Sequence, residues 1–360
     1  MAATDEYERT LTSASADVAS FDERHRGALD RIQHALHANP ALTPLLVLLA
    51  SLVVFGVLVG SKFFSPFALT LILQQVQIVG ILAAAQSLII LTAGIDLSVG
   101  AIAVACSMTM GHLAISSGLP APVAVGAGLA LGTALGAVSG ALVAFVRLPP
   151  FIVTLGMWQI VLAGNYIYSA NETVRSQDIA AQAPLLQLFG TKLRVALFDW
   201  GTATFTLGVL FMVALVVGLA YALRHTAWGR HVYAVGDDPE AAQLAGVDEK
   251  RTLLSVYMLA GLICALAGWI MIGRYGSASP SASTGQIGNI QAITAVVIGG
   301  ISLFGGRGSI LGAFFGALIV GVFELGLRMY GADPQWTYLL IGVLIIAAVT
   351  VDQWIRKVSA

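Results

Sequence analysis

Residues 66–91 read PFALTLILQQVQIVGILAAAQSLIIL, twenty-six residues without a charge. A helix that crosses a bilayer needs about 20 apolar residues. Lipid offers no partner to an open backbone, so a run of this length must be helical. The pattern recurs along the chain, at 43–61, 66–91, 97–117, 122–146, 151–170, 202–223, 252–273, 290–304, 309–329 and 336–352. The sequence therefore predicts an all-α polytopic membrane protein with about ten transmembrane helices. The run at 290–304 is short and ends among Gly299, Gly300, Gly305 and Gly306, which predicts a broken or re-entrant helix there.

Composition agrees. Of 360 residues, 58% are hydrophobic and only 10% charged, against roughly 25% charged in soluble domains. That is too little polar surface for an ordinary soluble globule and too much apolar side chain for a disordered chain. The 39 glycines suit helices that approach one another closely in a membrane. A net charge of −1 leaves no basic footprint for nucleic acid. Cys106 and Cys264 sit inside apolar runs and read as small core residues.

Residues 1–40 are polar, with seven acids, four arginines and no apolar run, unlike a signal peptide. They read as a cytoplasmic tail in which Phe21–Ala38 is either an amphipathic helix or disordered. Residues 41–360 form a single transmembrane domain. Ten spans place both termini on the same side. With both inside, twelve Lys and Arg fall in cytoplasmic segments and six outside, as the positive-inside rule asks. The 171–201 loop is then external. The 224–251 loop is cytoplasmic and carries the densest mixture of charge.

Such a chain could be a transporter, a channel or an intramembrane enzyme. Ser139 in GAVSG has no histidine in the spans after it, and there is no HExxH, so catalysis and a metal site are not expected. None of the four lysines (Lys62, Lys192, Lys250, Lys357) follows a glycine, so the chain has no P-loop. It must use an ion gradient, passive flow or an ATPase on another chain. Ion coupling would place ionisable groups within the spans. The candidates are Asp96, Glu324 and Asp352. Asp96 also suits the N-cap of the third span, and Glu324 an i,i+4 ion pair with Arg328.

The cytoplasmic loop carries the more specific signal, GRHVYAVGDDPEAAQLAGVDEKR at 229–251. Asp238 suits an N-cap and Pro239 a first helical position. Glu240 lies where the helix dipole favours an acid, and Gly246 is a stop. A capped helix of about seven residues is too short to stand alone in water. Projecting from a membrane domain, it fits the groove of a partner.

Four stretches together resemble the permease subunits of bacterial sugar ABC importers of the ribose, xylose and fructose group. They are TAGIDLSVG (92–100), LPPFIVTLGM (148–157), GRHVYAVGDDPEAAQLAGV (229–247) and AVVIGGISLFGGRGSILGAFFGALIVG (295–321). The resemblance covers nearly all of residues 45–355, and the overall wording, down to the C-terminal WTYLLIGVLIIAAV and DQWIRKVSA, is most similar to the fructose systems. It implies an inner-membrane homodimer with two ATP-binding subunits and a periplasmic sugar-binding protein. ATP and magnesium would sit on the ATPase, and this chain would bind no cofactor. It implies further that Asp238, Pro239, Glu240, Ala241, Ala242 and Gly246 form the ATPase-coupling helix, through the EAA-x-x-x-G pattern at 240–246. Asn289-Ile290 and Glu324-Leu325-Gly326 depart from the group's usual wording, which bears on the choice of sugar.

A sugar path needs hydrogen-bonding groups and aromatic faces. The candidates are Gln74, Gln77, Gln86, Asp96, Trp158, Asn165, Asn289, Gln291 and Glu324; the same residue types also tie membrane helices together. Arg307 reads as an inside anchor. GIDLSVG (94–100) recurs loosely as GISLFGG (300–306), with Gly94 aligned on Gly300, the trace of a structural repeat or chance. The reading is the permease of an ATP-driven sugar importer, with fructose favoured and ribose, mannose, xylose or another sugar possible. The rivals are an ABC permease for a nucleoside or branched-chain amino acid, an ion-coupled carrier, and a membrane scaffold without transport.

Overall fold

The computed structural model describes residues 41–196 and 201–359. The predicted tail at 1–40, with its helix at Phe21–Ala38, lies outside them. The described chain is helical apart from one β-hairpin. The helices are α1 (Leu42–Val59), α2 (Pro66–Leu91), α3 (Val99–Ile115), α4 (Ala121–Ala144), α5 (Pro150–Ser169), α6 (Ser176–Gln182), α7 (Leu207–His225), α8 (Ala227–Asp237), α9 (Pro239–Leu244), α10 (Glu249–Tyr275), α11 (Ala282–Ile298), α12 (Ile310–Tyr330) and α13 (Pro334–Ser359). Seven of these, α1, α2, α4, α5, α7, α10 and α12, are long and apolar enough to cross a membrane. The other three predicted spans fall on α3 and α11, of 17 residues each, and on α13.

Caps set many of the starts. The Ser65, Thr206, Thr226, Asp238, Asp248, Ser281 and Ser309 side chains each accept a backbone N–H in the first turn of the helix that follows. The prolines at 122 and 150 stand in the first turns of α4 and α5, where a missing N–H costs nothing.

Three boundaries differ from expectation. The run predicted from 202 becomes helical only at Leu207, because Thr202–Thr206 form a β-strand. The run predicted at 290–304 begins at Ala282, eight residues earlier, because Ser281 accepts from Thr284 N at 3.4 Å and starts the helix within polar sequence. It ends at Ile298, where the glycines do interrupt it. The run predicted from 97 begins at Val99, since Gly94–Ser98 run back from the end of α2 without helical turns.

The two loops expected to be long are structured. The first holds α6, a 3-10 turn (Pro184–Gly190) and strand β1 (Lys192–Ala196), which pairs antiparallel with β2 (Thr202–Thr206) at the start of the predicted sixth span, Lys192 with Thr206 through Ala196 with Thr202. The second holds α8 and α9.

The bundle is built around α2, α10 and α12, with α3 and α11 between them. The most apolar window of α2 is 67% buried and that of α1 22%, so α1 is peripheral. Leu46, Val53 and Val57 of α1 are exposed, an arrangement that suits lipid. A satellite cluster under α1 joins Phe55, Phe63, Ile72 and Ile319, and Phe55 meets Phe323 edge-on at 5.3 Å. The most extensive helix pairing is α4 on α10. A Cβ at Gly136 would overlap the Tyr257 carbonyl oxygen, and one at Gly132 would lie 2.6 Å from Gly261 O. Only glycine permits that approach.

The loose sequence repeat has a structural counterpart in shifted register. Helix α2 ends with Ala93 at φ 60° and Gly94 N donating to Ile89 O at 3.0 Å. Helix α11 ends with Gly300 at φ 75° and Ile301 N donating to Val296 O at 3.2 Å. Both are left-handed stops with a six-to-one bond. They match Ala93 to Gly300, one residue off the alignment expected from the sequence.

Candidate functional site

The short helix α9 forms as its residues predict. Asp238 Oδ1 accepts from Glu240 N and Ala241 N, both at 3.0 Å. Pro239 is first, and Glu240 sits in the first turn. Gly246 has φ 86° and donates to Gln243 O at 3.0 Å, while Val247 N reaches back to Ala242 O at 3.0 Å. Ala242 is buried, facing inward. Glu240, Ala241 and Gln243 are exposed, and Leu244 is 91% exposed. Leu244 is thus an exposed apolar side chain on a capped, polar turn.

Helix α8, which precedes it, was not visible as a helix in the sequence. It fastens α9 to the bundle at three places. Trp228 Nε1 donates to Ser255 Oγ of α10 at 2.8 Å. Tyr233 Oη donates to Gly308 O at 3.0 Å. Gly236 packs on the last turn of α2: a Cβ there would fall on Leu91 O and lie 2.8 Å from Gly306 N. Gly306 N in turn donates to Leu91 O at 3.0 Å. The end of α2, the loop after α11 and helix α8 therefore meet backbone to backbone. The sequence held one signal for this junction, the glycines at 236, 305 and 306, which also read as ordinary helix breakers.

The nine polar path candidates separate into groups. Gln74 Nε2 donates to Thr204 O at 2.6 Å, and Gln77 Oε1 accepts from Thr206 Oγ1 at 2.9 Å. Both amides tie the hairpin to α2. With its carboxamide oriented to satisfy both atoms, Gln86 donates to Asp96 O at 3.0 Å and accepts from Asp96 N at 3.2 Å. Asp96 Oδ1 accepts from Ser98 N and from Ser98 Oγ, both at 2.6 Å. Thr154 Oγ1 donates to Ile95 O at 3.0 Å, holding the same segment from α5.

The N-cap of α3 is therefore Ser98, and Asp96 braces the turn two residues ahead of it, which corrects the expected position. Asn289 accepts from Gly100 N and donates to Leu97 O, pinning α11 to the start of α3. Gln291 Nε2 donates to Glu324 Oε1 at 2.8 Å. Within 4 Å Glu324 has no ion pair with Arg328, contrary to the expected i,i+4 pair; the ion pair among the described residues is Arg251 with Asp248, at 3.1 Å. Trp158 and Asn165 lie two turns apart on α5 and line one cleft, with Ala101 and Val104 of α3 and Gly285 of α11.

A family model described as "Branched-chain amino acid transport system / permease component" matches residues 68–349. The chain belongs to this family of permeases. It is 63% identical over 355 residues to the fructose import permease protein of Rhizobium meliloti, covering 99% of this chain and 97% of that one. It is 37% identical over 307 residues to the ribose import permease protein of Escherichia coli K12, covering 85% and 92%. It is 33% identical over 338 residues to the xylose transport system permease protein of the same organism, covering 80% and 85%. No solved structure matches the chain. The permease is thus a transport component rather than an enzyme, and a multi-pass protein of the inner membrane.

One substitution separates bracing from charge chemistry in the permease. Asparagine keeps an Oδ1 acceptor for Ser98 N and Oγ, whereas alanine leaves both buried donors open at about 1–3 kcal/mol each. Asp96→Asn is expected to keep most transport and Asp96→Ala to lose both transport and membrane-inserted protein. Uptake normalised to immunoblotted membranes checks this. Loss of transport in Asp96→Asn at normal abundance would assign the carboxylate a charged role.

Proposed function

We propose that this permease is the transmembrane subunit of an ATP-driven sugar importer, with fructose the favoured cargo. The observation that carries the coupling is α9, a capped helix with Leu244 held out, anchored through Gly236 to the end of α2 and through Tyr233 to Gly308 in the loop that leads into α12. A partner surface pressing on α9 would move the end of α2 and that loop directly. In this reading α3, α11 and α13 complete ten spans, both termini are cytoplasmic, and the β-hairpin is external. The permease pairs with a second copy, two ATP-binding subunits and a periplasmic sugar-binding protein. ATP and magnesium are bound on the ATPase, and Asp238, Pro239, Glu240, Ala241, Ala242 and Gly246 form and present the helix that meets it.

The family description names branched-chain amino acids, but the sugar reading is supported by the full-length likeness to sugar import permeases. A tagged permease drawn from its native membranes in mild detergent is expected to bring down a P-loop ATPase in about equal amount. Labelled fructose uptake should fall on deletion of the permease and be competed by unlabelled fructose and not by leucine. Competition by leucine alone would transfer the cargo to amino acids. Recovery of the permease without an ATPase, with uptake abolished by a protonophore, would favour an ion-coupled carrier.

A further inference from the structure

Most buried amides in this bundle have at least one partner, although Gln75 Oε1 and Gln77 Nε2 have none. Gln74, Gln77, Gln86 and Asn289 each bond to backbone or hydroxyl groups elsewhere in the fold. Asn165 differs: it is 5% exposed, and neither its Nδ2 nor its Oδ1 has a partner. A carboxamide out of water with all its donors and acceptors open is a costly arrangement that needs an explanation.

Its surroundings supply one. Asn165 lines a narrow cleft together with Trp158 and Leu162, which lie on the same side of α5 at one-turn spacing. The opposite walls are Ala101 and Val104, just past the point where α3 begins inside the bundle, and Gly285 in the first turn of α11. Small residues on that side keep the space open. Ala282 N donates to Tyr166 Oη at 3.3 Å, and Asn289 holds α11 against Gly100, so both helix starts are fixed around the opening. Irregular backbone at membrane depth is tolerated where it is packed in protein or borders a water-filled cavity. Interrupted helices mark solute sites in many membrane transporters. As the helices stand, the cleft has room for about one water, so a solute reaches Asn165 when the border between α5 and α11 opens.

We propose that this cleft is a solute-contact subsite on the translocation path, in which Asn165 bonds adjacent sugar hydroxyls and Trp158 walls the carbon side. A carboxamide presents donors and an acceptor together, and neighbouring hydroxyls can meet both. With only one amide and apolar walls, contact is weak and release easy, as a conduit requires. The inference rests on the reading of the chain as a sugar permease and adds a place and two residues to it.

The test is Asn165→Leu, nearly the same size without hydrogen bonds. Losing an unpartnered amide should leave the thermal stability of the purified complex equal or raised. Maximal fructose uptake should fall on the order of tenfold, the loss of one to two hydrogen bonds, while the concentration for half-maximal uptake, set by the binding protein, stays put. Asn165→Gln should recover part of the rate. Wild-type uptake by Asn165→Leu in a strain whose parent imports fructose would overturn the subsite and leave the sugar reading intact; a parent that imports no fructose would overturn that reading instead. If Asn165→Leu does not reach the membrane, Leu162→Cys decides. Millimolar fructose should slow its labelling by a maleimide in the assembled complex, and equal labelling rates with and without fructose would overturn the proposal.

Discussion

Replacing Gly236 by alanine is expected to cut uptake by roughly 5- to 150-fold while leaving the permease in the membrane. The added methyl would fall on the carbonyl oxygen of Leu91 and crowd Gly306 N at 2.8 Å. Neither obstacle is the tip of a flexible side chain, so α8 must move away from the bundle. Overpacking of this kind costs about 1–3 kcal/mol, and as lost coupling between two sites that is the stated range of rates. The Gly306–Leu91 bond would be strained, and α9 would be carried off its seat. Gly218→Ala on α7 is the control, because a methyl there meets nothing within 4 Å and should leave uptake unchanged. Uptake and membrane abundance measured on both variants check the result. Normal transport by Gly236→Ala would show that the junction yields without consequence.

The second large effect concerns α9 itself. Gly246→Pro is expected to abolish uptake and to lower the amount of ATPase that co-purifies, with insertion intact. Proline fixes φ near −65°, whereas Gly246 stands at φ 86° and donates to Gln243 O. The substitution removes that bond and forbids the turn that returns the chain to α10. Glu240→Lys probes the same face without disturbing the backbone. Its side chain is exposed, so an adverse dipole term of about 0.3–1 kcal/mol is the whole internal cost. Any larger loss of uptake reports contact with a partner. Unchanged uptake in both variants would remove α9 from the coupling scheme.

The parts of the fold that could be read from sequence are those set by local chemistry. Asp238, Pro239 and Gly246 act within one turn of the backbone they shape, and α9 formed as they indicated. The long apolar runs were equally plain, since a membrane span advertises itself by length. Helix α8 was hidden because Arg230, His231 and Asp237 surround Val232 and Val235, so that a packed face looked like a charged loop. The early start of α11 was hidden in polar ASTGQIG, whose glycines matter through contact with α3 and α2. Most path candidates had the right residue types in a different use. Gln77 and Asn289 find partners 129 and 189 residues away, and no local pattern reports a pairing across that distance. Asn165 looked no different from them in the sequence; only the absence of a partner in the fold sets it apart.

The seam between α4 and α10 limits how this permease can change shape. Where Gly132 and Gly136 bring two backbones into contact, no layer of side chains remains to act as a bearing. Sliding one helix along the other would drive a peptide group into a peptide group. The pair must therefore travel as a single strut, and any alternation between inward and outward forms has to be hinged elsewhere, along borders such as that between α5 and α11, where side chains and open space intervene.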